Sequence, residues 1–233
     1  MSERGNLSFQ SFVTNREGAQ ELTESRYNLL IGLMLAWGFG LNFAITQLLG
    51  PRLLGLAMGG GLLAFVIAYF VLVMIGSGMV RSYNAGTCFI GYNLIALPVG
   101  VLVAMATAAY DPGLVARAAL STAIVTLIMM IVSTLIPQVF ERMAGGLGVA
   151  LLATIVVESL GMLFFRAAIT LTDWAVVIIM CLYIGYDWVR ANSVQRTTTN
   201  AIAAASALYL DIINIFLRIL SILARSRRDD RGN

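Results

Sequence analysis

The sequence predicts an all-α membrane protein with seven transmembrane helices. Its 233 residues are 59% hydrophobic and only 12% charged, whereas a soluble globular domain carries about 25% charged residues. Seven apolar stretches follow one another, each close in length to the ~20 residues that a transmembrane helix needs. The connectors between them are too short for a second domain, so we expect one helical bundle embedded in the lipid bilayer.

Turn-forming and polar residues separate the first four stretches. Gly50-Pro51-Arg52 predicts the end of the first stretch, Arg81 begins the polar segment after the second, and Asp111-Pro112-Gly113 predicts a turn after the third. Pro98 lies inside the third stretch, where its missing backbone N–H predicts a kink. The four stretches cover residues 27–49, 53–79, 85–109 and 114–140.

Charged residues separate the last three stretches, which cover residues 144–165, 174–188 and 201–223. Residues 166–173 link the fifth to the sixth, and a polar connector over residues 190–200 leads to the seventh. The predicted organisation is a polar N-terminal lead-in over residues 1–26, a transmembrane domain over residues 27–224 and a short charged tail over residues 225–233.

The absence of histidine from the sequence excludes several kinds of site. Ser-His-Asp catalysis, Cys-His catalysis and His-ligated zinc all require that residue. Cys88 and Cys181 lie in different stretches without a CxxC neighbour, so we interpret both as core residues. With no nucleophile–base pair, we expect neither an enzyme nor a cofactor. All fifteen basic residues are arginine, and they do not cluster as a nucleic-acid partner would require.

Arginine positions favour a cytoplasmic N-terminus. With the N-terminus inside, seven arginines fall on the cytoplasmic side and three on the outer side, not counting Arg218 and the tail. Seven crossings place the four arginines of the tail outside, so either the tail is tolerated there or the last helix dips in and returns. Lack of lysine with plentiful arginine, alanine and glycine is typical of GC-rich bacterial genomes. We therefore expect a prokaryotic plasma membrane.

Asp187 and Asp211 need a functional explanation more than any other residues. Each lies in or at the edge of an apolar stretch, where an acidic residue costs roughly 2.5–3.5 kcal/mol on insertion scales. Such residues are paired, hydrated or protonated, and they usually mark an ion or proton path.

The two aspartates belong to polar stripes on consecutive helices. Because lipid cannot satisfy polar groups, we expect the stripes to face each other inside the bundle. If the two carboxyl groups meet, both cannot ionise cheaply at low dielectric, so the pair would share one proton. A proton and a cation would then compete for it. One stripe consists of Tyr183, Tyr186, Asp187 and Arg190, and the other of Asp211, Asn214 and Arg218.

A structural role is the alternative for each acidic residue in the membrane. Asp187 would be held by Arg190 at the membrane interface, and Asp211 by a local arginine or amide group. Glu158, inside the fifth stretch, either lines the ion path or is a protonated glutamate bonded to Ser159 or a neighbouring helix. We interpret Asn42 and Asn93, also in apolar surroundings, as interhelical hydrogen-bonding residues rather than ligands.

The run ALYLDIINIFLR at residues 207–218 resembles the closing helix of the Bax inhibitor-1 family, also called the transmembrane Bax inhibitor motif family. The run LYIGYD at residues 182–187 is similar to the family's penultimate helix. Asp187 and Asp211 are 24 residues apart, which matches the spacing of the family's paired aspartates. The resemblance covers the layout of the whole chain and the motifs of residues 182–218.

The resemblance implies six helices around a central last helix and a pH-sensitive calcium leak channel. Its diaspartyl pH sensor would be Asp187 and Asp211, which would also contact the metal ion in transit, with Arg81 as a partner. Some relatives carry a glutamate in the second helix, and this chain has none there. Either Glu158 compensates or the ion path differs. Further candidates are Asn214, Arg218 and Arg190 as sensor partners and Tyr183 in the ion path.

Three functions stay open at this point. The first is a leak channel for calcium or another cation gated by protonation, since oxygen ligands suit calcium. The second is a proton-coupled cation transporter that uses the same carboxylates. The third is a non-conducting regulator that binds a membrane protease or a stress protein. The expected partners are the lipid bilayer, calcium ions and protons, and the oligomeric state is left open.

Overall fold

The computed structural model describes residues 20–56, 61–165 and 170–232, and every regular element within these ranges is helical. Six of the described helices are long and apolar enough to cross a membrane, and a seventh if the bent fifth helix counts as one span. The prediction of an all-α polytopic membrane protein is confirmed. The helices are α1 Glu24–Leu56, α2 Leu62–Met79, α3 Ala85–Thr107, α4 Pro112–Leu135, α5 Pro137–Phe165, α6 Thr170–Ser193 and α7 Thr198–Gly232.

The predicted end of the first helix is wrong. α1 continues through Gly50-Pro51-Arg52 and ends at Leu56, although its strongly apolar part ends at Leu49 as expected. Membrane helices tolerate glycine and proline, because neighbouring groups can satisfy the freed backbone carbonyls. A Gly-Pro pair is therefore a weaker stop signal here than in a soluble protein.

The boundary between α4 and α5 also differs from the prediction. α4 ends at Leu135, and Pro137 begins α5. Ile136 between them is not helical, with φ −131° and ψ 57°, as expected for a residue that precedes proline. Proline favours the first position of a helix. Glu141-Arg142 therefore lies inside α5, which bends by 55° between its parts Pro137–Met143 and Gly145–Val157.

Asp111 caps the N-terminus of α4, as the predicted turn implies. Its Oδ1 accepts hydrogen bonds from the backbone N–H groups of Gly113 at 2.8 Å and Leu114 at 3.3 Å, with Pro112 in the first turn. These two bonds lower the pKa of the Asp111 carboxyl, because they stabilise its charged form. The cap fixes where α4 begins.

The helices divide into two compact units, and the single predicted bundle stays a prediction. The first unit comprises residues 1–109 and 190–209, and the second comprises residues 110–189 and 210–233. Since α7 continues from one range into the other, it supplies buried residues to both units. The central position of this last helix stays a prediction.

In the first unit, α3 packs against both α1 and α2. Gly76 of α2 and Gly91 of α3 allow the closest approach, since a Cβ on Gly76 would lie 2.7 Å from the backbone oxygen of Gly91. α3 continues without a break through the buried Pro98, and the kink stays a prediction. The core of this unit includes Tyr27, Ile31, Tyr92, Ile95, Leu208 and Tyr209.

Both asparagines form the interhelical hydrogen bonds that the sequence predicts. The Tyr209 hydroxyl of α7 donates to Asn42 Oδ1 of α1 at 2.7 Å. The Trp37 indole of α1 donates to Asn93 Oδ1 of α3 at 3.0 Å. These bonds join helices of the first unit across their apolar surfaces.

The last two helices are longer than hydropathy predicts. α6 includes Asp173 at its start and Arg190 near its end, both of which the sequence places in connectors. Only residues 194–197 remain as the connector before α7. α7 extends to Gly232, so the residues of the predicted tail are helical up to that point. Hydropathy identifies only the apolar part of a helix. Asp173 suits the first turn of α6 because an acidic residue is favoured at a helix N-terminus, and the arginines that extend α7 have good helix propensity.

Candidate functional site

The structure brings Asp187 of α6 and Asp211 of α7 together within the second unit. The two carboxyl groups are close enough to interact electrostatically and to share a hydrogen bond. An ionised carboxylate can only accept hydrogen bonds, so a bond between two carboxyl groups requires a proton on one of them. The Oδ2 atom of Asp211 is buried and has no hydrogen-bond partner among the described residues.

Tyr183 lies beside this pair, one helical turn before Asp187. It is close enough to interact electrostatically with both Asp187 and Asp211. On α5, a Cβ added to Gly148 would lie 3.6 Å from the Tyr183 hydroxyl. Gly148 of α5 therefore lies near the Tyr183 hydroxyl, and Asp211 of α7 is within electrostatic range of it.

Two contacts on either side of Asp187 hold α6 against its neighbours. Gly185 packs on the buried ring of Phe140 of α5, so tightly that any added Cβ would overlap with the ring. The Trp188 indole N–H donates a hydrogen bond to Thr134 Oγ1 of α4 at 3.0 Å. These contacts restrict how far α6 can rotate or slide next to the aspartate.

A second polar cluster lies on the same two helices. Asp173 of α6 is only 2% exposed, and each of its carboxylate oxygens accepts a bond from one arginine of α7. Arg218 Nη1 lies 2.8 Å from Oδ1, and Arg225 Nη1 lies 2.6 Å from Oδ2. We call Asp173, Arg218 and Arg225 the arginine clamp. A buried carboxylate with two charged donors is well satisfied.

Asp173 is not among the predicted site residues, because it lies in the predicted connector over residues 166–173. Its partners are 45 and 52 residues further along the chain, beyond the reach of any local pattern. The spacing of two arginines is the one feature of the sequence that could have indicated a buried acidic partner. Arg218 and Arg225 are seven residues apart on the last helix, so they share a face and require a counter-charge from a neighbouring helix.

The other predicted site residues have different positions. Asn214 is exposed, and Arg218 belongs to the arginine clamp. Arg81, directly after α2, and Arg190, near the end of α6, belong to the first unit. Their roles as sensor partners stay predictions, as does the alternative in which Arg190 holds Asp187. The side chain of Glu158 lies outside the described residues.

The aspartate pair by itself offers few ligands to a metal ion. In the described part of the chain, no three aspartate, glutamate or cysteine side chains come together in a way that could hold a metal ion. Stable calcium sites use six to eight oxygen ligands. Two carboxyl groups supply too few for such a site, although they are suitable for a weak contact with a passing cation.

Comparison with known proteins places the chain in a family. No curated protein and no solved structure matches it. A family model described as "Inhibitor of apoptosis-promoting Bax1" matches residues 20–228. The matched range covers most of the chain and includes both Asp187 and Asp211. The chain therefore belongs to the Bax inhibitor-1 family.

Proposed function

We propose that this protein is a pH-sensitive cation leak channel whose gate is the Asp187–Asp211 pair. The observation that carries the proposal is the close approach of these two carboxyl groups in the second unit. Both residues lie in helices that are long and apolar enough to cross a membrane. A carboxyl pair at that depth is costly, and such costly residues are typical of ion and proton paths.

The chemistry of the pair provides the gate. With one shared proton, the two carboxyl groups attract each other and hold α6 against α7. When the proton leaves, two negative charges face each other at low dielectric and repel strongly. The helices then separate at this level, or a cation enters between the carboxylates. A rise in pH therefore opens the path and a fall in pH closes it.

Calcium is the cation that we propose for this path. Carboxylate oxygens are hard ligands, and a pair of them attracts a divalent cation more strongly than a monovalent one. Tyr183 supplies one more oxygen next to the pair. Because the contact involves few ligands, the ion binds weakly and leaves quickly, as conduction requires. We place the channel in a prokaryotic plasma membrane with a cytoplasmic N-terminus.

The experiment is reconstitution of the purified protein into liposomes that contain a calcium dye, with influx measured over a pH series. Wild type should show flux that rises with pH. Asp187→Asn and Asp211→Asn should each abolish the pH dependence, because asparagine keeps the side-chain shape and cannot lose a proton in this range.

Asp111→Asn is the matched control, since it removes one carboxylate outside the pair and asparagine also caps helices well. Its pH profile should equal that of wild type. A wild-type pH profile in both Asp187→Asn and Asp211→Asn would exclude the proposed gate.

A proton-coupled cation transporter is the second candidate, and the shared proton of the pair favours it. Flux through a leak needs only a calcium gradient. A coupled transporter requires an opposing proton gradient, so a protonophore that collapses this gradient should stop calcium accumulation. Flux that is unchanged by the protonophore supports the leak channel.

A further inference from the structure

α4 buries one stripe of side chains, and most of that stripe carries hydroxyl groups. Its members are spaced by four or seven residues and therefore share one face of the helix. They are Leu114, Ala118, Thr122, Thr126 and Ser133. Large apolar side chains of α4 lie outside the stripe, and Leu120, Leu127 and Ile131 are each at least 60% exposed. The helix thus exposes apolar groups, as a lipid environment requires, and buries hydroxyl groups.

The hydroxyl group of Thr126 differs from those of its neighbours on the stripe. Threonine and serine within helices commonly donate to a carbonyl three or four residues earlier. Thr122 donates to Ala118 at 2.8 Å and Ser133 to Met130 at 3.1 Å in this way. Thr126 is only 7% exposed, and its Oγ1 has no hydrogen-bond partner among the described residues. Because a buried hydroxyl without a partner is costly, this position suits a ligand from outside the chain.

The contact between α4 and α7 gives the depth of Thr126 relative to Asp211. Arg227 of α7 pairs with Asp111, the residue that caps α4, at 3.6 Å. Thr126 lies fifteen residues after Asp111, and Asp211 lies sixteen residues before Arg227. Both are therefore about 23 Å of helix away from this contact. Thr126 and Asp211 accordingly lie at similar depth on their two helices.

The contact between α4 and α6 gives a second measure of depth. Trp188 donates to Thr134 Oγ1 at 3.0 Å, and Asp187 directly precedes Trp188. This contact places Asp187 near the depth of Ser133, which is about 10 Å from Thr126 along α4. The aspartate pair therefore lies at the depth of the stripe between Thr126 and Ser133.

Asp211 Oδ2 is the other buried side-chain atom without a hydrogen-bond partner in the described part of the second unit. A carboxylate and a threonine hydroxyl both offer oxygen lone pairs, and hard cations such as calcium prefer oxygen ligands. A cation or one of its water molecules between Asp211 and Thr126 would satisfy both groups at once.

We propose that Thr126 and Asp211 form the transit site of the cation path, in which their oxygen atoms replace water molecules of a passing calcium ion. The inference rests on the proposed function and names the residue that supplies an oxygen beside the carboxylates. Thr122 lies one turn before Thr126 and Ser133 two turns after it, so hydroxyl oxygens follow about 16 Å of α4. The ion passes from one oxygen to the next and is held weakly at each, as conduction requires.

The test measures calcium binding apart from calcium flux. Purified protein in detergent at alkaline pH is unfolded by heat over a series of calcium chloride concentrations, with the ionic strength held constant by sodium chloride. Calcium that binds only the folded state raises the thermal midpoint, and wild type should show this rise. Thr126→Val keeps the shape of the side chain and removes its oxygen. It should need about three- to tenfold more calcium for the same rise.

Two variants control for the change of side chain. Thr126→Ser keeps the hydroxyl group and should retain the calcium dependence of wild type. Thr107→Val in α3 is the matched control, because Thr107 is also buried and its hydroxyl group already donates to the Val103 carbonyl at 2.8 Å. It should leave the calcium dependence unchanged. Asp211→Asn removes the charge of the site and should weaken the rise more than Thr126→Val does.

Thr126→Val without calcium shows whether the variant folds. Its thermal midpoint should be no lower than that of wild type, since the Thr126 hydroxyl gives up no hydrogen bond within the described part of the chain. A calcium dependence in Thr126→Val that equals that of wild type overturns the proposal. An equal loss of calcium dependence in Thr107→Val overturns it as well.

Calcium influx into liposomes separates this inference from the proposed function. If Thr126→Val needs more calcium for the rise and wild type shows no influx, the channel is refuted and the calcium site is supported. If influx rises with pH and is the same in Thr126→Val as in wild type, only the transit site is refuted.

Discussion

An acidic side chain inside a bilayer needs a partner, and Asp187 and Asp211 are partners of each other. The pair differs from the clamp around Asp173, although both lie on α6 and α7. In the clamp, fixed positive charges satisfy the carboxylate at any physiological pH. In the pair, two carboxyl groups lie close together, and a shared proton removes their mutual repulsion. We therefore propose that the clamp is structural and that the pair responds to pH.

Gly185, two residues before Asp187, gives a prediction about packing. Gly185→Ala places a methyl group into the ring of Phe140. Because that ring is buried, overpacking should destabilise the protein by about 1–3 kcal/mol. The free energy of unfolding in detergent, measured by denaturant titration, checks this value.

Gly146→Ala on α5 is the control, since a Cβ at Gly146 meets nothing within 4 Å. It should be neutral or stabilising by up to about 1 kcal/mol, as alanine has the higher helix propensity. Adding Phe140→Leu to Gly185→Ala should recover part of the lost stability. A Gly185→Ala variant that is as stable as wild type would contradict the close packing of Gly185 of α6 against Phe140 of α5.

Among the helices, α4 depends on an exposed cap whose effect varies with pH. The pKa of Asp111 is lowered by its bonds to the backbone N–H groups of Gly113 and Leu114. A group whose pKa is lower in the folded state contributes stability above its unfolded pKa. That contribution is lost as pH falls through the folded pKa.

The expected outcome is a thermal midpoint that falls in Asp111→Ala at neutral pH. The difference from wild type should disappear in strong acid, where the carboxyl is protonated in both states. Asp111→Asn should remain close to wild type at neutral pH, because asparagine also accepts these bonds. The measurement is thermal unfolding in detergent over a pH series. A constant difference between Asp111→Ala and wild type at all pH values would contradict this account of the cap.

Hydropathy predicts where the helices cross the membrane better than where they end. The apolar part of α1 ends at Leu49 as expected, but the helix continues to Leu56. α7 extends far past the expected end at residue 223, since arginines that pair with a carboxylate remain helical beyond the apolar segment. Helix ends depend on such tertiary pairing, which composition does not reveal.

The two polar stripes were visible from helical spacing alone, and so was the expectation that they meet. Asp187 and Asp211 lie close to each other, and their role as a pH sensor stays a prediction. Asp173 could not be found in this way, because its burial depends on arginines that are 45 and 52 residues distant in the chain. The division of the helices into two compact units is likewise not visible in any local pattern, and the single transmembrane domain stays a prediction.

For the whole molecule, arginine counting predicts that the N-terminus is cytoplasmic and that seven crossings place the end of α7 outside. Thr23 and Ser226 are both exposed, so a cysteine introduced at either position shows on which side of the membrane that end of the chain lies. The native cysteines are first removed by Cys88→Ala and Cys181→Ala. A membrane-impermeant maleimide should label Ser226→Cys in intact cells and Thr23→Cys only after permeabilisation. Labelling of both cysteines on the same side would contradict seven crossings and favour a last helix that dips in and returns.

The proton shared by Asp187 and Asp211 is tested most directly by the distance between their carboxyl oxygens in experimental structures determined at low and at high pH. At low pH, the closest oxygens should lie about 2.5–2.7 Å apart, as in a charge-assisted hydrogen bond between oxygens. At high pH, the contact should be broken, with the oxygens beyond about 3.5 Å or separated by a bound cation. Oxygens that remain in direct contact at both pH values, or that are apart at both, would contradict the account.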